Sequence, residues 1–267
     1  MKKMFMVLAA TLICGASVFT SCSKDKDDLN VKEKIMGRWM TQEMAGRTLL
    51  TNEKIVYNFI SSTKCYYSAS LNSNPDAGAP WTYLEEANVV IDGNKVTITS
   101  NPVEGTTLVE EYNITSINDN EFTANQNVKI IVNGSTLVDV DDVVRFVKVK
   151  VDYSADILGM WEGRMTSDES VYGDAEDHRW EYLMDGTFNY FRKVNGQWQI
   201  SDDDYADYFV AGTLLCTRWK NAGVGNEEHR EWWEIESIEN GVMKWKALRQ
   251  REDGTTYTAT FEMSKVN

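Results

Sequence analysis

The chain has 267 residues, 42% of them hydrophobic, enough to bury one large core or two ordinary ones. Its formal charge of −14 becomes −16 once Lys2 and Lys3 leave with a leader, and a surface this acidic repels phosphate backbones, which argues against nucleic acid as a partner. The four cysteines are too few and too scattered for the disulfide framework of a small secreted scaffold.

The first 21 residues read as a processing segment. Lys2 and Lys3 form its positive region, and Met4 to Ile13 its apolar region, shorter than the ~20 residues a bilayer-spanning helix needs. Val18-Phe19-Thr20-Ser21-Cys22 then places small residues before a cysteine. This resembles the lipobox of bacterial lipoproteins, with Phe19 where leucine is usual. The resemblance implies a diacylglycerol thioether on Cys22, cleavage before it, and acylation of the new amine, with palmitate among the chains. At ~0.8 kcal/mol per buried methylene, three chains anchor a protein to a membrane far more firmly than one. Cys14 is the poorer anchor, because Leu12 and Ile13 precede it. Ser23 to Asp28 are charged and apolar-free, so residues 22–31 read as a flexible acidic tether. They resemble the export tag of surface lipoproteins, which implies the outer membrane, and the cell surface, of a Gram-negative bacterium.

Val31 to Met36 reads as a short helical lead-in, and after Trp39 the pattern becomes β. Ile55, Tyr57 and Phe59 alternate, and Leu71 to Pro80 is a loop by composition. Asp92-Gly93-Asn94-Lys95 joins Val89–Ile91 to Val96–Ile98 as a tight hairpin, and Asn133-Gly134 opens the last hairpin of this half. In the second half, Asp185-Gly186, Asn195-Gly196, Asn240-Gly241 and Asp253-Gly254 punctuate further strands. Ser201 to Asp204 reads as a polar break, Tyr208 to Trp219 as one long β-rich run containing Gly212, and Ala222 to Asn226 as a loop.

The halves echo each other. Ile35-Met36-Gly37-Arg38-Trp39 returns as Ile157-Leu158-Gly159-Met160-Trp161, about 120 residues later, which is the length of a domain. Tyr112-Asn113-Ile114-Thr115-Ser116-Ile117 matches Trp233-Glu234-Ile235-Glu236-Ser237-Ile238, and Phe146 answers Phe261 in the closing strands. Short strands with regular turn signals predict an all-β chain of sandwiches or barrels. The expected division is 32–151 and 152–267.

A Gly-x-Trp at the head of a β-domain of this length resembles the lipocalin-like (calycin) families. The resemblance implies two tandem small antiparallel barrels, with Gly37 and Gly159 bending the first strands and Trp39 and Trp161 plugging the barrel ends. It also implies a basic side chain from the last strand over each tryptophan, with Lys148 or Lys150 placed to serve the first and Lys265 the second.

Signals for chemistry are sparse. His178 and His229 do not make a zinc set, and Asp139-Val140-Asp141-Asp142 and Asp202-Asp203-Asp204 lack the glycine and terminal glutamate of a calcium loop, so no metal or cofactor is expected. Glu227, Glu228 and Glu231 are carboxylates in a chain rich in them, and the expectation is a non-catalytic protein. Cys65 and Cys216, one in each half, are expected as buried thiols. Seven of the nine tryptophans lie in the second half. Tyr182, Tyr190, Trp198, Tyr208, Trp219, Trp233 and Trp245 are therefore the candidates for a small hydrophobic or glycan ligand. The alternatives are a structural or interaction module with an envelope protein partner, and a hydrolase.

Overall fold

The computed structural model describes residues 29–70, 81–167, 177–221 and 228–266. The leader, Cys22, most of the tether and the loops expected at 71–80 and 222–226 lie outside the described residues. The protein forms two compact β units. The first comprises the chain to Leu49 and Lys54–Val149, and the second Leu50–Glu53 and Lys150–Asn267.

The first unit opens with a one-turn helix, α1 (Val31–Lys34), in which Val31, assigned to the tether by composition, is already buried. Its strands are β1 (Gly37–Met44), β2 (Arg47–Thr48), β3 (Ile55–Ser61), β4 (Lys64–Ser70), β5 (Trp81–Asp92), β6 (Lys95–Val103), β7 (Thr106–Ile117), β8 (Glu121–Val132) and β9 (Ser135–Val149). Neighbours in sequence pair antiparallel from β3 to β9, and β1 pairs with both β3 and β9. Eight strands thus close into an up-and-down barrel, the lipocalin-like architecture, with β2 hairpinned onto β1.

The second unit contains β10 (Gly159–Met165), β11 (His178–Tyr182), β12 (Phe188–Val194), β13 (Gln197–Ile200), β14 (Asp203–Ala211), β15 (Leu214–Asn221), β16 (His229–Glu239), β17 (Val242–Gln250) and β18 (Thr256–Lys265). Their order is β13-β12-β11-β10-β18-β17-β16-β15-β14, a curled sheet that begins at β13 and ends at β14. The run expected as one strand from Tyr208 to Trp219 is two, because Gly212 takes φ +67° and turns the chain between β14 and β15. The polar break is also shorter than expected, since β14 already begins at Asp203.

Both units are floored by the same device. Gly37 and Gly159 adopt φ +99° and +107°, which L side chains rarely tolerate, and so swing the first strand into the barrel. Trp39 and Trp161 are completely buried, and each indole N–H donates to a carbonyl four residues back, Ile35 O and Ile157 O, at 2.6 Å. Lys148 is cross-strand partner to Trp39 and Lys265 to Trp161, and their ammonium groups lie 4.3 and 5.1 Å from the ring centroids. Of the two lysines considered for the first barrel, Lys148 is the one in place.

The longer internal match has a structural cause. The β7–β8 ladder shifts register between Ile114 and Ser116, and the β16–β17 ladder between Ile235 and Ser237. The shared Ser-Ile therefore marks a shared β-bulge. The pairing of phenylalanines does not follow the ladders. Counting from the lysine opposite each floor tryptophan, Phe146 corresponds to Met263, and Phe261 sits two residues earlier on its strand.

The first barrel is filled. Tyr57, Tyr112, Phe122 and Phe146 pack with Trp39, and the space left among them is about 10 Å³, at most a single water. Above this apolar layer lies a carboxyl group, Glu110, only 7% exposed. It accepts hydrogen bonds from the Tyr57 hydroxyl (2.8 and 2.9 Å) and the Tyr112 hydroxyl (3.2 Å), while Gln126 Nε2 donates to Tyr112 Oη (3.0 Å). Burial raises its pKa to about 7 against the lowering influence of the two phenols. Cys65 and Cys216 are buried free thiols, and burial pushes Cys65 up to about 12.

Two predictions follow from these cores. Because Glu110 binds its proton more tightly folded than unfolded, its contribution to stability is full below the ordinary carboxylate range and is lost as pH rises through about 7. A displacement of that size is worth roughly 3 kcal/mol. Thermal melts followed by circular dichroism should show Glu110→Gln removing that pH dependence from the first barrel's transition. In the second barrel, Trp161→Ala should cost ~3–5 kcal/mol. Gly159→Ala should cost ~1–3 kcal/mol through backbone strain, and chemical denaturation ranks the two.

Candidate functional site

The second barrel is split because one edge of β12 is claimed twice. β12 turns at Asn195-Gly196 into β13, which pairs with it from Val194↔Gln197 to Phe191↔Ile200. β14 approaches the same edge from the other side of the sheet and finds only its beginning available. There Thr187 bridges Asp207, and Tyr208 N–H donates to Gly186 O at 2.8 Å. Beyond that point β12 and β14 diverge, with Ser201 N–H donating to Tyr190 O (2.7 Å) where β13 leads into β14.

The gap holds a cavity of about 260 Å³. Its lining follows the two-residue period of strands: Phe188, Tyr190 and Arg192 from β12, Thr217, Trp219 and Asn221 from β15, with Trp180 from β11 and Glu231 from β16. Ser201 and Asp203 complete the wall. Four aromatic rings and six polar side chains thus share the lining, interleaved along the same strands.

The aromatic part of the lining is fixed from behind. His178, buried between Trp180 (centroids 5.5 Å) and Phe261 (5.8 Å), places Nδ1 2.8 Å from the Tyr190 hydroxyl. Trp180 packs edge-on to Phe261 and tilted against Tyr190 and Trp245. Trp219 stacks on His229 at 5.5 Å and is only partly buried, so one side of the indole borders open space.

The polar part of the lining carries both signs of charge. Burial raises the Asp203 pKa, partly offset by the Ser201 hydroxyl, which donates to it at 3.3 Å, and by Arg192. Glu231 accepts from Trp233 Nε1 at 3.3 Å and lies 4.0 Å from Arg249 Nη2. The guanidinium of Arg249 in turn covers Trp233 at 4.5 Å.

The seven aromatic candidates separate by environment. Tyr190 and Trp219 line the cavity. Tyr182, Trp233 and Trp245 are at most 2% exposed and belong to the core. Tyr208 donates its hydroxyl to Leu183 O at 2.8 Å and packs against Tyr182. Trp198, on β13, lies beneath Arg179 (4.5 Å) and Lys193 (5.1 Å). Sequence reasoning missed Trp180 and Phe188 and left the polar lining unassembled, although the alternation His178-x-Trp180-x-Tyr182 was available as a signal that all three share a face. In the other acidic run, Asn127 Nδ2 donates to both Asp139 and Asp141 at 2.8 and 2.9 Å, so a side-chain amide bridges those carboxylates.

No family model matches the chain, and no curated protein sequence matches it. Among solved structures, it is similar to an AttH candidate of Nitrosomonas europaea, at 10% identity over 93% of this chain and 99% of that one, with a TM-score of 0.25. It is also similar to transferrin-binding protein B of Haemophilus parasuis, at 6% identity over 82% of this chain and 61% of that one, with a TM-score of 0.23.

Proposed function

We propose that this protein is a non-catalytic, lipid-anchored binding module of the bacterial envelope, and that the cavity in its second barrel takes a small glycan. The observation that carries the reading is the cavity's composition. A pyranose has an apolar C–H face and a hydroxylated rim, and a lining that interleaves Trp180, Phe188, Tyr190 and Trp219 with six polar side chains offers partners for both. An acyl chain needs a long apolar lumen. Here the barrel interior is already packed with Trp161, Trp233, Trp245, Phe261 and Met263, leaving a chain no depth to enter. The glycan arm of the two ligand classes is therefore the better supported.

A single sugar ring has about a dozen heavy atoms, and at ~0.3 kcal/mol each it binds with a roughly millimolar Kd. Titration should use monosaccharides at that concentration, followed by tryptophan fluorescence and calorimetry. Trp219→Ala should weaken sugar binding about 10-fold or more, with little change in melting temperature because the ring is only partly buried. Fatty acid binding in place of sugar would overturn the reading.

The anchor rests on Val18-Phe19-Thr20-Ser21-Cys22. Metabolic labelling with an alkyne fatty acid should mark the wild type and not Cys22→Ala. Label that persists, or moves to Cys14, refutes the assignment.

A further inference from the structure

Closure of the first barrel uses only part of its last strand. On one edge, β9 pairs with β8 from Ser135↔Val132 to Val147↔Glu121. On the other edge, β1 reaches only Val144 to Val149, and the last bond on that side is Ala45 N–H donating to Val143 O at 3.0 Å. The chain then turns at Gly46 into β2, which pairs back onto β1. Residues 135–142 are left with no strand on that edge among the described residues. An open edge of this kind is a template for another strand.

The two-residue period of strands sets what the edge presents. Val138 and Val140 lie opposite Ile130 and Val128, which are buried, and therefore turn inward. Asp139 and Asp141 turn outward and are exposed. Because Val143 O is directed to the β1 side, the N–H and C=O groups of Asp141 and Asp139 point to the same side, where no strand meets them. Val143 N–H is met by Asp142 Oδ1 at 2.7 Å, which closes the edge beside β1. At the far end the ladder shifts register, and Leu137 is 57% exposed.

The charges decide the occupant. Asn127 Nδ2 donates to both Asp139 and Asp141 and holds the two carboxylates together on the outer face. Lys129 stands across the ladder from Asp139, so this face keeps a net negative charge. A second copy would set like charges opposite one another, which destabilises a sheet, in a chain whose formal charge is already −14. A basic strand gains where the copy loses.

We propose that the open edge of β9 is a docking site for an extended basic segment of a partner protein, added as a further strand to the first barrel's sheet. Its outer-face residues are lysine or arginine, opposite Asp139 and Asp141. Its inner-face residues are apolar, against Val138 and Val140. Backbone hydrogen bonds supply the affinity, and the alternation of side chains supplies the choice of partner. The site lies on the first unit and stands or falls independently of the glycan cavity.

The experiment titrates the full chain with three labelled peptides. One alternates lysine and valine, one alternates glutamate and valine, and one is the lysine peptide N-methylated at its lysine amides, which are the ones facing β9. Wild type is compared with Asp139→Lys/Asp141→Lys and with Asp141→Pro, whose lost N–H lies on the open edge and takes no bond from the β8 ladder. Circular dichroism checks that each variant is folded. The lysine peptide should bind wild type about 10-fold tighter than the glutamate peptide, and less tightly as salt rises. The double variant should reverse that preference, while N-methylation and Asp141→Pro should each abolish binding. If the N-methylated peptide binds as well as its parent, the attraction is charge alone and the strand site is overturned. It is equally overturned if both charged peptides bind wild type alike, or if neither binds. If sedimentation shows wild type pairing with itself and Asp141→Pro disperses the pair, the edge belongs to a second copy and the proposal falls.

Discussion

Everything distinctive about the second barrel depends on a competition for hydrogen bonds along one strand edge. β12 has a single free edge once β11 is paired, and the Asn195-Gly196 turn delivers β13 to it before β14 can arrive. A strand edge offers each backbone donor and acceptor once, so the edge is divided: Phe191 to Val194 go to β13, and only the segment about Thr187 remains for β14. In the first barrel the corresponding pair meets directly, and β4 pairs with β5 from Lys64↔Asn88 to Ser70↔Trp81. One barrel therefore seals and fills, and the other carries a cavity between edges that cannot meet.

The two units place an interior carboxylate in different surroundings. Glu110 in the sealed barrel is surrounded by protein donors from β3 and β7, and burial keeps its proton on in mildly acidic conditions. Glu231 in the split barrel faces the cavity, with Trp233 Nε1 as a donor and Arg249 alongside, while the nearby phenol of Tyr182 goes without a partner. Neither interior satisfies every polar atom, since Gln126 Oε1 and Thr106 Oγ1 in the first unit also lack a hydrogen-bond partner.

Much of this fold was legible because its constraints are local. Gly37 and Gly159 announce themselves, since only glycine adopts their backbone angles without strain beside the overlying lysines. The Asx-Gly turns were readable for the same reason, and the repeated Ser-Ile proved to mark a bulge shared by both ladders. Pairing was not legible. Gly212 could be an interior strand residue or a turn on sequence alone, and reading it as interior merged β14 with β15. Glu110 and Glu111 are chemically alike, and only the alternation with Tyr112 and Ile114 turns the first inward and the second outward.

The candidate site lay furthest from view because it is assembled by strands distant in sequence. An aromatic residue in a strand contributes the same pattern whether it faces a packed core or a void. Trp233 and Trp219 both sit on β-strands of the same sheet, yet one is sealed beneath Arg249 and the other borders the cavity. The difference is made by β13, four residues long, which pairs with neither strand and acts by holding an edge elsewhere. What sequence counting detected was an excess of rings in the second half. The structure resolves that excess into a packed core and a few rings, Trp180 and Trp219 among them, that border the cavity.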